Sequence, residues 1–117
     1  MGIKQVSLSD EARGASQILQ GGRGMTIALY WYEAREWQKL RAGDGVYIDN
    51  GEVGFYLGDD HYEFSENWPD HTRPLKVPPS QYQNMARLLA AIAGFRAVKV
   101  RGGHRYAKYE FRPLSKR

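Results

Sequence analysis

Between Gly43 and Phe64 the chain reads GVYIDNGEVGFYLGDDHYEF after a short lead, and this stretch limits the fold more than any other. Asn50-Gly51 is the strongest local hairpin signal a sequence carries, because a tight two-residue turn needs positive φ at both central positions. Gly58-Asp59-Asp60 supplies a second turn. Val46, Ile48, Val53, Phe55, Leu57, Tyr62 and Phe64 place apolar side chains in period two on either side of these turns. Three antiparallel strands follow, with one face toward a core.

The rest of the chain must cover that face. Leu8-Ser9-Asp10-Glu11 carries helix-start chemistry, a hydroxyl and two carboxylates at the positive end of a helix. Ala12, Ala15, Ile18 and Leu19 form a narrow apolar stripe behind it, closed by Gly21-Gly22. From Met25 to Ala42, TIALYWY has strand composition, and Glu33–Arg41 has helix composition. Ser65–Pro79 holds four prolines and reads as a loop, with PLKV as a brief edge strand. Ser80 is an expected N-cap. Tyr82, Met85, Ala86, Leu89, Ile92 and Ala93 give the following helix one apolar face, and Gly94 ends it. A basic hairpin comes next, and 112–117 reads as a frayed tail. The predicted order is α–(β)α–βββ–α–ββ. That is a small single α+β domain over 1–117, an antiparallel meander plus a C-terminal hairpin packed with two to three helices.

At 117 residues the chain is long enough for one unstapled core. It has no cysteine, which removes disulfides, thiolate ligands and a thiol nucleophile. The start is too polar for a secretory signal, and MTIALYWY is too short to span a bilayer, so a cytoplasmic location is expected. Gly2 and Ser7 match a myristoylation pattern only superficially.

A net charge of +4 conceals two blocks. From Ala42 to Thr72 there is no Lys or Arg, while Asp44, Asp49, Glu52, Asp59, Asp60, Glu63, Glu66 and Asp70 fall there. From Arg96 onward, Arg96, Lys99, Arg101, Arg105, Lys108, Arg112, Lys116 and Arg117 face only Glu110. Within this block VKVRGGHRYAKYE alternates around Gly102-Gly103. With that pair as the turn, Arg101 lies opposite His104, Val100 opposite Arg105, Lys99 opposite Tyr106, and Val98 opposite Ala107. Val98, Val100, Ala107, Tyr109 and Phe111 then face the core. Lys99, Arg101, His104, Tyr106 and Lys108 face out, with Arg105 near the turn. Cations neutralise phosphates and a ring stacks on an unpaired base, so this face suits nucleic acid. It also suits simple solubility at an exposed edge.

Few residues offer catalytic chemistry. DDHYE puts carboxylates beside His61, but the spacing is neither a calcium loop nor HExxH, and no metal or other cofactor is expected. GGRGMT lacks the Lys-Ser/Thr of a phosphate loop, and no serine sits in a GxSxG setting. His104, among Arg101, Arg105, Tyr106 and Lys108, has the parts of a metal-free ribonuclease.

The stretch ARLLAAIAGFRAVKVRGGHRY resembles the opening of HicA-type toxins. Their pattern is a helix ending in Leu-Leu and Gly-aromatic, a strand, Gly-Ser-His and a second strand. The resemblance spans about thirty residues. It implies RNA cleavage on a double-stranded-RNA-binding-like fold, with His104 as the catalytic base. Gly103 stands in place of the family's serine, and no third strand or final helix follows.

The leading expectation is a non-enzymatic binding protein that engages nucleic acid or a nucleoprotein through Lys99, Arg101, His104, Arg105, Tyr106 and Lys108. A second is a partner-blocking inhibitor of phage or mobile-element type. It would dock its acidic meander on a basic protein surface through Asp59, Asp60, Glu63, Glu66 and Trp68. The third is the ribonuclease with His104 as base.

Overall fold

The Asn50-Gly51 turn forms as its sequence predicts. In the computed structural model, which describes residues 6–7, 16–20, 26–65 and 74–114, φ is 53° at Asn50 and 88° at Gly51. The strands are β1 (Val6–Ser7), β2 (Ser16–Gln20), β3 (Thr26–Tyr30), β4 (Gly45–Asp49), β5 (Glu52–Leu57), β6 (Asp60–Glu63), β7 (Arg96–Gly103) and β8 (Tyr106–Arg112). The helices are α1 (Trp31–Trp37) and α2 (Tyr82–Ala93), the latter preceded by a 3₁₀ turn over Pro79–Gln81. β1–β2–β3 make a small antiparallel sheet, and the main antiparallel sheet has the order β6-β5-β4-β8-β7. The architecture is α+β.

The meander pairs in the expected register, Ile48 with Val53 and Phe55 with Tyr62. Alternation then sends Val46, Ile48, Val53, Phe55, Ala107, Tyr109 and Phe111 to one face, where all are buried. Onto that face α2 lays Tyr82, Met85, Ala86, Leu89 and Ala90. Leu89 is fully buried, and its truncation to alanine costs about 2–5 kcal/mol. α2 ends on Gly94, whose φ of 92° is the left-handed cap that glycine favours. From α1, Trp37 meets Phe55, Phe64 and Phe111 edge-on at 5.2, 5.3 and 6.5 Å, a geometry the ring quadrupoles favour.

Leu75 is buried where the proline-rich loop returns. Its amide donates to the Phe64 carbonyl and its carbonyl accepts from the Val53 amide, so PLKV lies along β5 through isolated bridges, Lys76 with Glu52 and Pro74 with Ser65, and not as the expected edge strand.

Two further local expectations fail and the bounds of a third shift. Ser16–Gln20, assigned to a helix by its apolar stripe, is strand β2; the remainder of that predicted helix lies outside the described residues. Pairing with β3, Ile18 opposite Ala28, overrides a stripe too narrow to hold a helix alone. The helix expected over Glu33–Arg41 starts at Trp31 and ends at Trp37. Ser80 is no N-cap: Pro78 and Gln81 occupy the cap positions without side-chain hydrogen bonds, and Ser80 sits within the 3₁₀ turn.

The hairpin register is also corrected. Gly102-Gly103 is not the turn. Gly103 pairs with Tyr106, Gly102 with Ala107 and Arg101 with Lys108, so His104-Arg105 forms the loop. A bulge at Val100 then changes the register, and Lys99 pairs with Tyr109 and Val98 with Glu110. Arg105 takes φ of 63°, a left-handed conformation that costs a non-glycine residue about 1–2 kcal/mol. Two hydrogen bonds to its carbonyl offset this, from the Asn50 amide at 2.8 Å and the Tyr82 hydroxyl at 3.2 Å.

Candidate functional site

The face of the main sheet opposite α2 is built by the other half of the alternation. Tyr47 and Asp49 on β4, Glu52, Gly54 and Tyr56 on β5, and His61 and Glu63 on β6 share it. So do Tyr106, Lys108, Glu110 and Arg112 on β8, and Arg96, Val98 and Arg101 on β7. Sequence alternation carried enough information to add Arg96, Arg112, Asp49, Glu52, Tyr47 and Tyr56 to the expected site residues. It did so only once the strand order was known.

Charge is sorted across this face. At its β4–β5 end Asp49 lies directly opposite Glu52, and Glu63 stands beside Gly54. Asp49, Glu52 and Glu63 line a hollow of about 230 Å³ together with Tyr47, Asn50 and Val53. At the far side Arg101 lies directly opposite Lys108, and Arg96 opposite Arg112. Like charges on opposing strand positions destabilise a sheet. Salt bridges join Lys39 to Glu36 at 3.2 Å and Arg112 to Glu110 at 3.3 Å. Thus Glu110 compensates Arg112, while neither pair uses Lys99, Arg101, Arg105 or Lys108. Lys108 instead lies over the Tyr56 ring, 4.5 Å from its centroid. Among the described residues, no ion pair within 4.0 Å joins these hairpin cations to the acidic meander.

The predicted cationic residues are divided by the corrected register. Arg101, Tyr106 and Lys108 face out as expected. Lys99 does not: the bulge turns it to the α2 side, where its chain lies 2.8 Å from the place a Gly102 side chain would take. His104 and Arg105 occupy the loop. From Lys99 to Arg105 every residue is exposed, so the hairpin tip is a continuous projecting segment. The long edge strand β7 is guarded by its bulge and its cations, which discourages pairing with another chain.

Tyrosines fill the middle of the face. Tyr47 reaches across β5, where a side chain on Gly54 would meet its ring at 2.5 Å. Tyr56 reaches across β4, where a side chain on Gly45 would meet its hydroxyl at 2.7 Å. The Tyr56 hydroxyl donates to the Tyr109 carbonyl at 3.1 Å. Burial, helped by the nearby carboxylates of Glu110 and Asp44, pushes the Tyr56 phenol up to about 12. His61 packs edge-on against Tyr47 at 5.1 Å, which accounts for it as part of the aromatic strip.

Of the acidic set expected for a protein partner, the described members divide between two sides of the sheet and a turn. Glu63 faces the hollow, Asp60 points to the other side of the sheet opposite Leu57, and Asp59 lies in the turn. Glu66, Trp68 and His71 lie outside the described residues. Among the described residues no group of three or more His, Asp or Glu side chains is placed to hold a metal. No described helix is long and apolar enough to cross a membrane. No protein-family model, curated protein or solved structure matches this chain.

Proposed function

We propose that this chain is a binding protein for nucleic acid, which it takes along the open side of the β7–β8 hairpin and its tip. The observation that carries this reading is the pair of cationic rungs, Arg101 opposite Lys108 and Arg96 opposite Arg112, on one face of one hairpin. Like charges on opposing positions repel within the sheet, even where Arg96 donates to the Pro113 carbonyl, Arg112 pairs with Glu110 and Lys108 lies over Tyr56, whereas a phosphate backbone laid over them gains from each. Arg105 extends the same charge at the exposed tip, with His104 beside it. Binding measured by fluorescence anisotropy against labelled RNA and DNA, across a salt series, tests it. About four phosphate contacts give a log–log salt slope of about −3 to −4. Absence of binding to any RNA or DNA at low salt refutes it.

A second reading draws on the opposite half of the face. The Asp49–Glu52 rung and Glu63 around a hollow suit a basic group of a partner protein, as a partner-blocking inhibitor would require. Charge reversal at Asp49, Glu52 and Glu63 then abolishes a complex that Arg101→Glu leaves intact. For the ribonuclease reading, the helix, glycine, strand and His104 loop follow one another as the toxin resemblance implies, but β8's further neighbour is β4 from the meander. Unchanged RNA cleavage by His104→Ala would remove that reading.

A further inference from the structure

Three tyrosines on the open face stand directly opposite glycines: Tyr47 opposite Gly54, Tyr56 opposite Gly45, and Tyr106 opposite Gly103. In the first two pairs the tyrosine ring folds across the strand and occupies the space the glycine leaves, so that a β-carbon there would collide with it. The third pair is different. Apart from its chain neighbours, no heavy atom lies within 4 Å of the position a Gly103 side chain would take. Tyr106 is half-buried and does not fill the gap. The same rung that elsewhere holds a ring is here an open notch.

The surroundings of this notch are polar and directional. The next rung is Arg101 opposite Lys108, and the loop beyond carries His104 and Arg105. Across β4 the neighbour of Tyr106 is the exposed Asp49. A carboxylate on that flank repels phosphate, so a polyanionic backbone would run along the Arg101–Lys108 side and present its bases toward Tyr106. A planar aromatic group laid on Gly103 would take the place that the tyrosine rings take on Gly54 and Gly45, and a nucleobase has such a plane.

We infer that the Gly103–Tyr106 notch is a stacking slot for one unpaired base, so the nucleic acid this hairpin takes is single-stranded. The inference rests on the nucleic-acid reading above and adds the strandedness to it. In a duplex each base is already stacked and paired, and extruding one costs a few kcal/mol. A duplex can therefore use the cationic rungs but not the notch.

The test compares short labelled single strands with blunt duplexes of the same sequence, titrated with the full chain by anisotropy. The wild type is expected to bind the single strand more tightly. Tyr106→Ala should weaken single-strand binding about tenfold and leave duplex binding unchanged, since one stacked base is worth about 1–3 kcal/mol. Gly103→Val, which fills the notch, should do the same, and Tyr106→Trp should restore the preference. Melting curves confirm that each variant is folded. Equal binding of single strand and duplex, insensitive to Tyr106→Ala and Gly103→Val, overturns the slot while leaving the cationic rungs standing. Absence of binding to both forms overturns the nucleic-acid reading and the slot with it.

Discussion

The Tyr82 hydroxyl donates to the Arg105 carbonyl at 3.2 Å, so the first turn of α2 holds the tip of a hairpin whose loop is otherwise exposed. The same oxygen accepts from the Gly51 amide at 2.9 Å. One phenol thus joins the meander turn, the helix and the basic hairpin, and fixes where the charged tip stands relative to the sheet.

Tyr82→Phe removes that junction while keeping the ring. The Gly51 amide, in a buried residue, loses its acceptor, and the left-handed Arg105 loses one of two hydrogen bonds. Leaving a buried donor unpaired costs about 1–3 kcal/mol. A drop of that size in urea unfolding free energy, without loss of secondary structure by circular dichroism, is expected. An unchanged midpoint would show that the bridge contributes nothing.

The tyrosine–glycine rungs separate sharply in their tolerance of a methyl group. Gly54→Ala places a β-carbon 2.5 Å from the Tyr47 ring and the Tyr62 carbonyl, so backbone or ring must move. More than about 2 kcal/mol of stability should be lost, in the range of an overpacked core. Gly103→Ala meets open space and should stay within about 0.5 kcal/mol of the wild type. Thermal melts of the two variants side by side check the contrast.

Arg101→Glu should change stability and binding in opposite directions. Opposite Lys108 it replaces a repulsive rung with an attractive one, worth about 0.2–1 kcal/mol. The same change should abolish nucleic-acid binding at moderate salt. A variant that gains stability and keeps its binding would locate the phosphate contacts elsewhere.

Tyr56 should give the protein an alkaline limit. Its phenol is raised from 10.0 to about 12 in the folded chain, chiefly by burial. The folded state therefore favours the protonated phenol. The stability this contributes is fully present below pH 10 and is lost as pH rises toward 12. Absorbance titration of the tyrosinates should show a late component that Tyr56→Phe removes, and unfolding in that window should be less steep in the variant.

Glu33 provides the acidic counterpart. Burial raises its carboxyl above 4.5, its own backbone amide opposes the shift, and the Glu63 charge adds to it. Among the described residues its buried Oε1 has no hydrogen-bond partner. The contribution favours folding below pH 4.5 and is lost as pH rises through the raised value. Glu33→Gln should accordingly be more stable than the wild type at neutral pH, with the difference shrinking on acidification. A difference independent of pH would rule out the charge as its cause.

Local chemistry in the sequence was sufficient for the meander and for α2. Asn50-Gly51 specifies its turn through φ, the period-two residues of β4 and β5 specify their inner face, and Gly94 specifies where α2 stops. Those features need only neighbours a few residues away. The cationic block was equally visible, because charge along a chain does not depend on folding. Strand β2 was hidden because its partner β3, not its own composition, decides its state.

The hairpin shows where tertiary structure took over. By local preference Gly102-Gly103 is the turn, but β8 is already pinned on its other side by β4, with Asp49 opposite Tyr106 and Val46 opposite Tyr109. The Arg105 carbonyl is held by Asn50 and Tyr82 from two other elements. These fixed contacts outweigh the cost of a left-handed arginine, move the turn to His104-Arg105 and force the bulge at Val100. That bulge sends Lys99 behind the sheet and leaves Gly103 opposite Tyr106. The sequence by itself determined that the hairpin would be basic and aromatic. Only long-range hydrogen bonding, acting on both sides of β8, decided which of its cations share a face and where the open notch lies.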